Sequence, residues 1–185
     1  MNRFNTHYKN TISYDLMTKF NYMNSFEIPS IKEISINISS LNLAFEKKKI
    51  IPLLVAIELI SGQKGRITLS KKNKIHLKIK KGIVVGCKVT LNTQNSHEFL
   101  EHLILFVFPH IKDFKGFSIK HKSPSILSFK INNLLNFFEL NNEFLNFSNI
   151  SPVNITIKLN TNTIEESNLL LNSYNFPIKT LAKVT

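Results

Sequence analysis

The stretch SGQKGRITLSKKNKIHLKIKKGIVVGCKVTLN, residues 61–92, decides how the chain is read. It is crowded with lysine and holds no acidic residue, yet Ile67, Leu69, Ile75, Leu77, Ile79 and Val85 are threaded among the positives. A solvated charge run has no core to face and lacks such interleaving. The pattern suits strands that bury one side and display cations on the other, a surface fitted to a polyanion. A strand is predicted over 66–71. A second alternation covers 74–80, with Lys74, His76, Lys78 and Lys80 opposite Ile75, Leu77 and Ile79; the same spacing suits an extended hairpin arm or a loop that orders on binding. Gly82 marks a turn before a strand over 83–92, where Gly86 permits a close backbone approach or a bulge. Val85, Cys87, Val89 and Leu91 share one face of that strand, and Lys88, Thr90 and Asn92 share the other.

Outward from this stretch, helices and strands alternate. Tyr8, Ile12, Leu16 and Phe20 stand four apart, which predicts a helix over 8–20, with Met17 near the same stripe. Residues 31–39 alternate Ile34, Ile36 and Ile38 against Glu33, Ser35, Asn37 and Ser39, the signature of a half-buried strand. A second helix is expected over 46–61, with Pro52 in its first turn and Gly62 just past its end. Asn95 or Ser96 is placed to cap an apolar helix that runs to Phe108 and stops at Pro109, with Phe99, Leu103, Phe106 and Val107 as its buried stripe, widened by Leu100, Ile104 and Phe108. Between 111 and 150 only a strand near 125–131 is legible. Val153, Ile155, Ile157 and Leu159 alternate as a last strand. Thr163 and Glu166 then form a capping box for a helix over 164–173. Strands with one apolar face, alternating with apolar-faced helices, pack most economically as an α+β two-layer sandwich: a mostly antiparallel sheet with helices on one side. The chain of 185 residues is read as a single domain: an N-terminal helix and lead-in (1–30), a block of strands and helices (31–110), a segment whose pattern is hard to read (111–150), and a last strand, helix and tail (151–185).

Composition narrows the function. Twenty-four basic residues against twelve acidic give a formal charge of +12, which calls for an acidic partner: RNA, DNA or anionic lipid. Only Arg3 and Arg66 are arginines. Abundant Asn, Ile, Lys and Phe with few glycines follow A/T-rich codons and point to an A/T-rich organellar or bacterial genome. No run of eighteen apolar residues is present, and the start MNRFNTHYKN has neither a secretory nor a transit pattern. The single Cys87 rules out an internal disulfide and a multi-cysteine metal site. The six histidines are scattered; His97 and His102 stand five apart, and His110 and His121 lie beside lysines. Glu165 and Glu166 sit where a helix macrodipole favours them, Cys87 falls on an inward strand face, and the glycines lack a phosphate-loop spacing. No catalytic constellation, cofactor site or metal site is expected. Six lysines at 71, 72, 74, 78, 80 and 81 exceed what protection of a strand edge requires, and favour contact with phosphates.

Several motifs in order carry a resemblance. HYKNTISYDLMTKFNY, IPSIKEISINI, SGQK at 61–64, GCKVTL at 86–91, FPHIKDFKGFS at 108–118, VNITI, the T-x-x-E cap and the closing NFPIK together resemble the family of the universal large-subunit ribosomal protein number five, which binds 5S rRNA. The resemblance runs through nearly the whole chain. It implies the same sheet with helices on one face, and a structural, non-enzymatic role in the central protuberance of the large subunit. The implied rRNA-binding set is Asn37, Gln63, Lys64, Arg66, Thr68, Lys88 and Thr90; Asn37, Lys88 and Thr90 lie on polar strand faces by pattern alone. Lys71, Lys72, Lys74, His76, Lys78 and Lys80 correspond to the loop that approaches the P-site tRNA. Lys112, Phe114, Lys115, Phe117 and Lys120 fall in the part that meets small-subunit head protein thirteen as an intersubunit bridge. The partners implied are therefore rRNA (5S rRNA among it), P-site tRNA, other central protuberance proteins and that small-subunit protein, with no cofactor, no membrane and no homo-oligomer. The family's glycines after the first strand are replaced here by Ser39 and Ser40, its GQKP by GQKG, and its small-residue tRNA loop by KNKIHLKIK. A mitochondrial, organelle-encoded origin is expected, with a plastid or an A/T-rich bacterium as the alternative. The competing reading is a basic RNA-binding or protein-interaction module outside the ribosome.

Overall fold

A computed structural model describes residues 3–40, 47–118, 123–143, 147 and 151–179. Strands are β1 (Ile31–Ser39), β2 (Arg66–Leu69), β3 (Val84–Asn92), β4 (Phe117–Ser118), β5 (Ile126–Ile131), β6 (Val153–Leu159) and β7 (Ile178–Lys179). Among the described residues four helical rods accompany them: α1 over residues 3–19, α2 (Ile50–Ser61), α3 over residues 93–110, and α4 (Ile164–Ser173). The main sheet is open and antiparallel in the order β2-β3-β1-β6-β5, and with its helices it forms the expected α+β sandwich. A short parallel pair, β4-β7, stands apart from that sheet.

The reason is visible strand by strand. In β1, Ile34, Ile36 and Ile38 are wholly buried while Glu33, Ser35 and Asn37 are half-exposed and Ser39 is exposed. The same alternation buries Val153, Ile155, Ile157 and Leu159 in β6, and Leu127, Phe129 and Ile131 in β5. Removing a branched aliphatic side chain from water is worth about 1.5–3 kcal/mol, so a one-residue slip in any of these strands would be costly.

Two compact units emerge from the packing. The first comprises residues 1–34, 92–129 and 156–185. Buried Ile12 and Leu16 of α1 belong to it, as does a ring cluster in which Tyr8 and Tyr174 lie 6.1 and 6.0 Å from His97. The Tyr8 hydroxyl donates to the Pro29 carbonyl at 2.9 Å. A second cluster gathers Phe108, Phe114, Phe117, Phe129 and Phe176, with Phe117 and Phe129 centred 4.5 Å apart. The second unit comprises residues 35–91 and 130–155. There the buried flank of α2 is Leu53, Ala56, Ile57 and Ile60, and Gly62 closes the helix at φ 64°. The site of a Cβ on Gly65 lies against Leu54 and Ile57 of α2 and Val89 of β3, so α2 covers the Val89 side of the sheet.

Several expectations are corrected. Helix α3 begins at Thr93 with Asn92 at its N-cap, so neither Asn95 nor Ser96 caps it; the Ser96 hydroxyl donates to the Thr93 carbonyl at 2.6 Å inside the first turn. Pro109 does not stop it: the helix continues to His110, and a wider π-helical turn at Leu103–Val107 precedes the proline. A widened turn relieves the clash of the ring with the preceding carbonyl. Phe106 falls outside the buried stripe and is 51% exposed. Helix α1 starts earlier than expected, and its π-helical turn, Tyr8–Ile12, shifts Met17 to an exposed position. β2 ends at Leu69, and 74–80 is no strand but a turn of 3₁₀-helix at Ile75–Leu77. The capping box is present as expected, with Thr163 accepting from the Glu166 N–H and Glu166 from the Thr163 N–H.

Gly86 sits where any Cβ would run into the Ile38 carbonyl, and the Ser39 Cα is within 2.9 Å of the same point. Gly86→Ala is expected to lower stability by about 1–3 kcal/mol as the strands part, read as a shift in the urea midpoint at constant slope. Burial also holds His97 below its ordinary pKa of 6.5, between the neutral rings of Tyr8 and Tyr174. The unfolded chain then binds more protons once the pH drops below about 6.5, so the His97 contribution is complete at pH 7 and is lost on acidification. His97→Phe is expected to flatten the fall in unfolding midpoint between pH 7 and pH 5; an unchanged slope would show that other groups set it.

Candidate nucleic-acid interface

The polar face of the second unit is built by strand register. In β2 and β3, Arg66 pairs with Lys88, Ile67 with Cys87 and Thr68 with Gly86. Residues directly opposite in an antiparallel pair project to the same side, so Arg66, Thr68 and Lys88 share a face while Ile67 and Cys87 turn to the α2 side. Thr90 continues the Lys88 side of β3, half-buried between buried Val89 and Leu91. The register then slips between Thr68 and Leu69, where Val85 is the extra residue of a bulge and its carbonyl instead accepts the Ser40 N–H at 3.1 Å.

Two cations therefore stand directly across from one another, and neither makes an ion pair among the described residues. Like charges in that position destabilise a sheet unless an anion lies between or above them. Asn37 lies on the polar side of β1, and its Oδ1 is a buried acceptor with no partner among the described residues. An unpaired buried acceptor is costly until a donor arrives. Lys64 and Gln63 are exposed just after α2; the Ser61 hydroxyl holds that corner by donating to the Ile57 and Gln63 carbonyls at 2.7 and 3.0 Å. Arg66, Thr68, Lys88 and Thr90 thus form one face, Asn37 contributes from β1, and Gln63 and Lys64 lie on the adjoining corner.

The lysine-rich middle is a folded loop. Ser70 and Gly82 close its base through the bonds Ser70 N–H to Ile83 carbonyl and Gly82 N–H to Ser70 carbonyl, at 2.8 and 2.9 Å. Lys74 and Ile79 exchange two backbone bonds across the tip, and the Asn73 side chain accepts the Lys81 N–H at 2.6 Å. Only Ile79 is buried, which pins the loop, whereas Ile75 is 88% exposed. A strand over 74–80 would have had no neighbour beyond the β2 edge, and six crowded ammonium groups repel one another. Lys71, Lys72, Lys74, His76, Lys78 and Lys80 are all exposed as a result.

In the first unit, Lys112 and Lys115 are exposed around a turn in which Asp113 and Gly116 take φ 55° and 82°. Phe114 and Phe117 are half-buried and spend their rings on the phenylalanine cluster. Lys120 lies outside the described residues. Among the described residues no group of three His, Cys, Asp or Glu side chains converges on a possible metal site, and no helix is long and apolar enough to cross a membrane. Cys87 is buried on the α2 side of β3, and burial pushes its thiol pKa up, the opposite of an activated nucleophile. The unpartnered Asn37 acceptor and the facing of Arg66 by Lys88 were not legible before the strands were paired.

Residues 84–178 match the C-terminal region of the ribosomal L5 family. The large ribosomal subunit protein uL5m of Reclinomonas americana is 38% identical over 180 residues, covering 96% of this chain and 98% of that protein. The large ribosomal subunit protein uL5 of Buchnera aphidicola is 37% identical over 175 residues, covering 94% and 97%, and that of a Wolbachia strain is 37% identical over 171 residues, covering 92% and 96%. The chain accordingly belongs to the ribosomal L5 family, whose members are structural ribosomal proteins and not enzymes.

Proposed function

We propose that this chain is a structural protein of a mitochondrial large ribosomal subunit, held there by rRNA on the polar face of β1, β2 and β3. The observation that carries the proposal is the facing of Arg66 by Lys88, two cations with no acidic partner among the described residues. A phosphate above that pair removes the repulsion and gains two charge-assisted hydrogen bonds. Asn37, half-exposed on β1, adds a carboxamide to the same face. Thr68 and Thr90 add neutral donors beside them, while Gln63 and Lys64 engage the backbone from the corner. In this reading the RNA is 5S rRNA, where the ribosome has one, in the central protuberance, with other proteins of that region as neighbours; membership of the ribosomal L5 family supports it. Binding of this kind reads shape and phosphate position, not base sequence.

The loop from Lys71 to Lys81 approaches the P-site tRNA in this reading, its ammonium groups at a fixed pitch because the loop is folded before it meets the tRNA. Lys112 and Lys115 turn toward the head of the small subunit, with Phe114 and Phe117 holding that turn from beneath. The mitochondrial assignment rests on the Reclinomonas uL5m similarity and on the A/T-rich residue usage.

In gently lysed organelles the protein is expected to sediment with the large ribosomal subunit; free sedimentation would sink the ribosomal reading. Lys88→Glu is expected to weaken rRNA binding at low salt. It also makes the plot of log affinity against log salt shallower by about one unit for each phosphate no longer engaged. Binding unchanged across several salt concentrations would remove Lys88 from the interface.

A further inference from the structure

Helix α2 carries aliphatic side chains on its outer flank as well as its inner one. Its inner flank packs in the second unit, and a surface helix normally turns a polar flank to water. Here the outer flank is Ile51, Val55 and Leu59, at 68%, 40% and 45% exposure. They stand four apart and so form a single ridge. Glu58 is the one charged residue in the helix. Ile67, 48% exposed, pairs with Cys87 and therefore projects to the side of the sheet that carries α2. Single exposed aliphatics are ordinary; a ridge of them along one helix marks an interaction surface.

The ends of the ridge say what kind of partner fits. Exposed Lys48 stands just before the N-terminus of α2. The helix macrodipole is already positive at that end, so a cation added there makes it a place that attracts an anion. Exposed Lys64 follows the other end. A partner must bring an aliphatic surface to the ridge and carboxylates to its ends. RNA supplies anions without aliphatic surface. A second copy supplies the same ridge with the same lysines, on a chain of formal charge +12, and is repelled.

We propose that the Ile51–Val55–Leu59 ridge docks an amphipathic helix of another polypeptide. That helix lays its apolar face along the ridge and places acidic residues near Lys48 at the start of α2 and near Lys64. Ridges of side chains four apart interlock when two such helices cross. The site lies on the α2 side of the sheet, opposite Lys88, so a protein can occupy it while rRNA occupies the polar face.

A photo-crosslinking phenylalanine analogue at Val55, in intact large ribosomal subunits, tests the proposal; the same probe at Lys88 serves as a reference. The expected product at Val55 is a peptide of another protein, with apolar residues three and four apart and Asp or Glu flanking them. Leu59→Asp is expected to lower its yield roughly tenfold, with the unfolding midpoint and incorporation into the subunit unchanged. Cross-linking from Val55 to rRNA, to lipid, to a second copy or to a peptide without that pattern overturns the proposal, as does the absence of any product. If the Lys88 probe fails to reach rRNA, the rRNA-face reading fails by itself, and the Val55 result still stands.

Discussion

The close approach of β3 to β1 at Gly86 governs much of what this chain displays. With no side chain at that point, the β3 backbone comes against the Ile38 carbonyl and the Ser39 Cα. Val85 is thereby displaced as a bulge whose carbonyl takes the Ser40 N–H, and the β2-β3 register shifts beside it. A bulge re-aims the side chains on either side of it. Beyond it Lys88 faces Arg66, and Cys87 and Val89 bracket it as core. The polar face depends on that register, because a slip of one residue would send Lys88 inward and Cys87 outward.

Electrostatics then fits the face to an anion. Arg66 and Lys88 are held together by backbone hydrogen bonds, not by any attraction of their own. The cost of their proximity is met by folding and returned when an anion arrives. This is preorganisation: the repulsion is already in place, so binding a phosphate need not gather the charges. The loop between β2 and β3 behaves in the same way at its tip, where the Lys74–Ile79 and Asn73–Lys81 bonds hold a dense set of lysines in a fixed frame. Lysines present compact point charges, suited to phosphates at varied angles, whereas arginine would impose a fork geometry.

Buried alternation made much of the fold legible in advance. β1 runs from Ile31 to Ser39, as the isoleucine spacing requires, and α4 spans Ile164 to Ser173 because its capping box fixes its start. The open polar face around Asn37, Lys88 and Thr90 was legible for the same reason. Local patterns misled where a neighbour was missing or a covalent constraint was absorbed. Residues 74–80 have a strand's alternation but no strand to pair with, so only Ile79 reaches the core. Pro109 lies inside α3 because a π-helical turn makes room for its ring. Phe114 and Phe117 read as surface candidates, yet the phenylalanine cluster claims their rings, a meeting of residues far apart in the chain.

The sequence by itself determined which residues turn inward in β1, β3 and β6 and the net positive charge, since these follow from side-chain chemistry and a period of two. Its order of motifs also carried the family resemblance. Which cations face one another, which acceptor is left without a donor, and which flank of α2 meets water were decided only by tertiary structure. Those properties belong to pairs of residues from different strands and helices. They exist only once hydrogen-bond register and helix placement have brought the pairs together.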